Sequence, residues 1–178
     1  MDYNKVEVTD QINIFLCFID YSHKKKLENY GRNFVLKKIL IEEYSISNFC
    51  IKVSKRGKPY LQDSDYFFSI SYTNKIIAIM VSYGKECGLD IEKIEKVDIS
   101  NAKYFMSSIE QNKKLTIDYY FRMWTRKEAI LKCYGSGLIV DPTRVTVIND
   151  RVRVFGYNFS VCTLKYTGYI VSYSILCN

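Results

Sequence analysis

Asp90, Glu92, Glu128 and Lys132 are the side chains whose types and spacing point to chemistry. In Leu89-Asp90-Ile91-Glu92 the two-residue period of a strand puts Leu89 and Ile91 on one face and both carboxylates on the other. Two carboxylates on one face repel each other unless a cation, a base or water lies between them. Hard oxygen ligands in this arrangement suit Mg²⁺, or Mn²⁺, with water and substrate phosphate oxygens as further ligands. An edge strand with a solvated acidic face would carry the same pattern.

The second group lies in Trp124-Thr125-Arg126-Lys127-Glu128-Ala129-Ile130-Leu131-Lys132. Phe121, Trp124, Glu128 and Leu131 share one helical face, so Glu128 interrupts an apolar stripe, a costly place for an unpaired charge. Lys132, one turn on, is a candidate partner; a plain surface Glu–Lys pair would contribute only ~0.3–0.5 kcal/mol. Three carboxylates and a lysine from two rigid elements could hold a divalent metal beside a phosphate ester.

The elements that must position these groups follow from pattern. Ile12–Ile19 reads as a buried strand, followed by a helix over about Lys24–Tyr44 that Lys24-Lys25-Lys26 opens. Phe49–Val53 reads as a strand and Lys55–Pro59 as a basic loop. Tyr66–Ser71 and Ile76–Tyr83 form a hairpin around Thr73-Asn74, and Leu89–Glu92 is a short strand. A helical region spans about Asn101–Leu115, and the main helix about Ile117–Tyr134, stopped by Gly135 and Gly137. Arg144–Ile148 and Arg151–Phe155 alternate around Asn149-Asp150, and Phe159–Tyr166 and Tyr169–Leu176 around Thr167-Gly168. The pattern predicts an α+β fold of two similar-sized halves, 1–88 and 89–178, each a small antiparallel sheet packed with a long helix.

Composition narrows the class. The chain has 178 residues, 48% hydrophobic and 25% charged, with 16 Tyr, 10 Phe and 2 Pro, which argues against disorder. A net charge of +7, spread over both halves, favours anionic partners without selecting one. The six cysteines contain no C-x-x-C pair and His23 is the sole histidine, which argues against structural zinc. The N-terminal residues lack the basic and apolar regions of a signal peptide, and Ile12–Ile19 is too short to span a membrane. The expectation is a cytoplasmic protein with reduced thiols.

Gly88–Glu92 followed by Trp124–Lys132 resembles the two core motifs of the 4′-phosphopantetheinyl transferase superfamily. Tyr120-Phe121, Gly135-Ser136-Gly137-Leu138, Gly57-Lys58-Pro59-Tyr60-Leu61 and Phe68-Ser69-Ile70-Ser71-Tyr72-Thr73 are similar to its Sfp-type branch. The resemblance spans 57–138 and extends weakly to Arg32. It implies a pseudo-twofold pair of α+β halves, monomeric, acting as an Mg²⁺-dependent holo-carrier-protein synthase. Such an enzyme moves the phosphopantetheine arm of coenzyme A to a serine of an apo acyl or peptidyl carrier protein and releases adenosine 3′,5′-bisphosphate. It implies Asp90, Glu92 and Glu128 as metal ligands, Glu128 or a metal-bound water near it as base, and Lys132 on the transferring phosphate. Arg32, Lys58, Ser71 and Tyr72 would then face the coenzyme A nucleotide. Lys127 ranks lower, on another helix face, and Trp124 packs under the site. The chain departs from the family at Tyr72, which stands where Asn-x-Ser-His-Ser usually places histidine; a phenol can bond a phosphate but brings no positive charge. Two other readings stay open: a non-catalytic binder of coenzyme A or a carrier protein, and a small basic nucleic-acid-binding domain.

Overall fold

The two most continuously apolar runs, Ile12–Phe18 and Ile76–Tyr83, are neighbouring strands buried on both faces. The computed structural model describes residues 2–19, 31–73, 75–136 and 140–177, and only the backbone of 31 and 32. Strands β1 (Tyr3–Thr9) and β2 (Ile12–Phe18) form a hairpin. A π-helical turn at Gly31–Val35 leads into α1 (Leu36–Tyr44), and β3 (Ile51–Val53) pairs with β4 (Pro59–Leu61). With β5 (Tyr66–Thr73) and β6 (Ile76–Tyr83), the first antiparallel sheet has the order β1-β2-β6-β5. Part of the Lys24–Tyr44 helix predicted from sequence, and Asn74 and Gly137-Leu138, lie outside the described residues.

The chain continues with β7 (Cys87–Lys93), a 3₁₀ segment at Ile99–Tyr104, α2 (Ser108–Gln111) and α3 (Ile117–Tyr134). Then β8 (Arg151–Val154), β9 (Tyr157–Tyr166) and β10 (Tyr169–Cys177) complete a second antiparallel sheet of order β7-β10-β9-β8. The α+β architecture predicted from the pattern is therefore present. The sheets face each other across a core in which Ile14, Leu16, Ala78 and Met80 meet Leu89, Ile91 and Val171. The alternate residues Phe15, Cys17, Ile77 and Ile79 pack against Leu36, Ile39 and Leu40 of α1. Burial on both faces is why β2 and β6 read as unbroken apolar runs.

Some local readings are corrected. Residues 144–148 are not a strand: Pro142–Arg144 is a 3₁₀ turn, and the hairpin partner of β8 is β9, around Phe155-Gly156. The backbone there is satisfied by side chains instead of a ladder. The Arg126 guanidinium donates to the carbonyls of Val147 and Asn149, the Lys127 ammonium to that of Val145, and Glu110 accepts from the Val147 N–H. Val145 and Val147 are still buried, so the alternation is real although the ladder is not. The helical region at 101–115 is split; Ser107 and Glu110 form a capping box that starts a new turn. Strands β1 and β4 were not predicted.

Candidate active site

Gly88 sets how close β7 comes to α3. A Cβ at this position would overlap the carbonyl oxygen of Ala129 and the amide nitrogen of Cys133, so only glycine permits the approach. Ser172 and Ser174, fully buried on the adjoining strand β10, keep the surrounding face small, and the Ser172 hydroxyl shares a 2.7 Å hydrogen bond with Thr125 of α3. The helix starts on its Thr116 cap and stops at Gly135, whose φ of 79° is left-handed. Leu89 and Ile91 face the other sheet, leaving Asp90 and Glu92 toward α3, as the strand period predicts.

β5 seals the other edge of β7. Ser69 Oγ accepts from the Leu89 N–H at 2.9 Å and Ser71 Oγ from the Ile91 N–H at 3.3 Å. Two hydroxyls thus satisfy backbone donors that would otherwise be buried unpaired.

Asp90 is the centre of the site. Its Oδ1 accepts from Lys132 Nζ at 2.7 Å and from Ser71 Oγ at 2.8 Å, and Lys132 also donates to Ser71 Oγ at 3.0 Å. The partner of Lys132 is therefore Asp90 and not Glu128, the partner suggested by helical spacing. Asp90 is the more deeply buried acid, and leaving it unpaired would cost more. Glu92 Oε1 accepts from Trp124 Nε1 at 3.2 Å, and the indole packs edge-on against Phe105. Trp124 thus lies under the site and also orients one of its acids.

The carboxylates crowd one another. Burial, and then the Asp90 charge, push the Glu92 pKa up to about 7; burial and Asp90 likewise raise that of Glu128. The Lys132 charge acts in the opposite direction on both. As they stand, no three His, Cys, Asp or Glu side chains among the described residues are arranged to hold a metal ion. Lys132 and Ser71 occupy Asp90 Oδ1, and Trp124 occupies Glu92 Oε1. Asp90 Oδ2 and Glu128 Oε1 are buried without a hydrogen-bond partner. These are hard anionic oxygens with lone pairs to give, the donor type a small divalent cation takes.

Beside this cluster is a cavity of about 290 Å³ whose wall includes Arg56, Lys58, Phe68, Tyr72, Lys132 and Gly135. The Lys58 ammonium is turned inward, ion-paired with Glu86 and donating to the carbonyls of Cys87 at 3.1 Å and Cys133 at 3.0 Å. It fastens the basic loop to the start of β7 and the end of α3. Ser71 belongs to the Asp90 triangle. The side chain of Arg32 lies outside the described residues. Lys127 is fully buried, paired with Glu110 at 2.7 Å, and shapes the fold. Sequence reasoning missed Glu110, although Ser107-Ser108-Ile109-Glu110 carries the capping-box spacing. It also missed Glu86, which no local pattern marks.

Residues 86–172 match the family model described as the 4′-phosphopantetheinyl transferase superfamily. The chain is 29% identical over 116 residues to 4′-phosphopantetheinyl transferase gsp of Aneurinibacillus migulanus, covering 60% of this chain and 47% of that one. It is 28% identical over 113 residues to 4′-phosphopantetheinyl transferase Sfp of Bacillus subtilis (strain 168), covering 58% and 50%. The chain thus spans about half the length of the curated relatives it matches. A solved structure, the holo-[acyl-carrier-protein] synthase (AcpS) of Thermotoga maritima, overlaps 51% of this chain and 62% of its own at a TM-score of 0.40 and 18% identity.

Proposed function

We propose that this member of the 4′-phosphopantetheinyl transferase superfamily transfers the phosphopantetheine arm of coenzyme A to a serine of an apo acyl or peptidyl carrier protein, releasing adenosine 3′,5′-bisphosphate. The observation that carries this reading is the α3–β7 junction. There Lys132, on the wall of a cavity, is held by a buried acid, and two carboxylate oxygens lack any donor.

Asp90, Glu92 and Glu128 would hold Mg²⁺ or Mn²⁺, which when bound neutralises charge on the pyrophosphate. Coenzyme A would lie in the cavity, its pyrophosphate toward Lys132 and its nucleotide toward Tyr72 and the 56–59 loop, the first half of the chain contributing the nucleotide side. Lys132 passes from Asp90 to the transferring phosphate, where its charge counts most as the leaving oxygen becomes negative. The carrier serine Oγ attacks the β-phosphorus, the bond from phosphorus to the bisphosphate oxygen breaks, and the serine proton goes to Glu128. Lys58 shapes the cavity from behind, and Ser71 steers Lys132.

The +7 charge favours docking of an acidic carrier. Both motifs lie in one chain, which supports a monomer, and no described helix is long and apolar enough to cross a membrane. The reading places the reaction in the cytoplasm. Incubating the protein with coenzyme A, Mg²⁺ and a panel of apo carriers tests it: mass spectrometry should show one phosphopantetheine added to a carrier serine. Coenzyme A binding without a mass gain on any carrier would make it a binder instead.

A further inference from the structure

Three cations line the cavity: Arg56, Lys58 and Lys132. Lys58 is spent on Glu86 and two backbone carbonyls, and Lys132 on Asp90 and Ser71. Arg56 differs. Its guanidinium lies over the Tyr134 ring, with Cζ 4.8 Å from the centroid, and among the described residues it has no carboxylate or hydrogen-bond partner. A guanidinium carries five N–H donors, more than one ring contact engages, so donors remain for an anion. The Tyr134 ring in turn stacks on Phe155 at 4.7 Å, so the platform under Arg56 is itself held. The charge also lies by Gly135, at the C-terminal end of α3, where the helix dipole favours a cation. Tyr72, on the same wall, offers a phenol with no positive charge.

From this we infer that Arg56 determines nucleotide specificity by binding the 3′-phosphate of coenzyme A, supplying the positive charge that Tyr72 does not. The inference rests on the transferase reading and adds to it: the pyrophosphate is served by Lys132, and the second phosphate cluster of the same ligand by Arg56. A guanidinium fork held over a ring suits a terminal phosphate, which takes two parallel N–H bonds. Arg56 also borders a second cavity of about 380 Å³ with Lys55 and Tyr157 on its wall, so there is further open space beside the guanidinium.

The test compares coenzyme A with 3′-dephospho-coenzyme A, by calorimetric binding in Mg²⁺ and by KM in carrier modification. The wild type should prefer coenzyme A. Arg56→Met, which keeps the stem and removes the charge, should weaken coenzyme A by about 10- to 100-fold and leave the dephospho form within twofold, with kcat unchanged. Arg56→Lys should recover part of the preference, a point charge replacing a fork. Equal weakening of both ligands in Arg56→Met, which a merely structural role would give, overturns the inference, as does an unchanged preference. Loss of the preference in Arg32→Ala but not in Arg56→Met would also overturn it. A wild type that binds neither ligand would overturn the transferase reading itself, an outcome distinct from any of these.

Discussion

The Lys132 ammonium reaches from α3 across to β7 and lies 2.7 Å from Asp90 Oδ1, pairing with it and not with Glu128 on its own helix. If Asp90 is a metal ligand, as proposed, the ammonium and the ion share its charge. Removing the ammonium should therefore hurt the metal-free protein more than the metal-loaded one. Lys132→Met leaves the buried Asp90 with Ser71 as its remaining partner, and should lower stability by about 1–3 kcal/mol without metal. Millimolar Mg²⁺ should restore more stability to the variant than it adds to the wild type. Thermal unfolding with and without Mg²⁺ measures both, and equal metal effects would mean that Lys132 and the ion do not share Asp90.

Gly88 is the spacer of the site. Gly88→Ala forces a methyl group into the backbone of α3 at Ala129 and Cys133, which cannot give way as a flexible side chain would. The expected cost is about 1–3 kcal/mol or more. Because any shift separates β7 from α3, Mg²⁺ affinity should fall as well. Denaturant unfolding and Mg²⁺ titration should both report the change; a variant with native stability and native Mg²⁺ affinity would mean that the approach is not what sets the site.

The crowded acids give the metal-free protein a pH dependence. Glu92, pushed up to about 7 from an ordinary 4.5, and Glu128, also raised, bind protons more tightly in the folded chain than in the unfolded one. Between those values the folded state carries more protons, so this contribution to stability falls as pH rises. Mg²⁺ should offset the loss, raising Tm more at pH 8 than at pH 5.5, where protons compete for the same oxygens. A metal effect independent of pH would count against these carboxylates as ligands.

Lys127, next to Glu128, is set apart by burial. It and Glu110 form an ion pair with both side chains inaccessible to solvent. Glu110→Ala should cost about 3–5 kcal/mol by stranding a buried ammonium. Coenzyme A affinity, measured on the fraction that remains folded at low temperature, should stay near wild type. A selective loss of affinity in a stable protein would move this pair into the binding machinery.

The sequence made legible what depends on local periodicity. Asp90 and Glu92 share a face because a strand alternates, and α3 runs over Ile117–Tyr134 to a Gly135 stop, as its pattern predicts. What it could not show depends on partners distant along the chain. Helical spacing offers Glu128 to Lys132, but the ammonium goes to Asp90, brought near by the close approach at Gly88. The stretch at 144–148 alternates like a strand and buries its valines like one. Its backbone bonds nevertheless go to Arg126, Lys127 and Glu110, charges that a pattern of hydrophobicity places on the surface.

Glu128→Gln tests the central claim most directly. It keeps the size of the side chain and its hydrogen-bonding reach while removing the negative charge that both the metal site and the proton transfer require. Purified variant and wild type are incubated with Mg²⁺, coenzyme A and an apo carrier that the wild type modifies, and the carrier is weighed by mass spectrometry. Expected is a folded variant, with a circular dichroism spectrum like that of the wild type, that adds no phosphopantetheine. Modification at the wild-type rate would contradict the role assigned to the α3–β7 site.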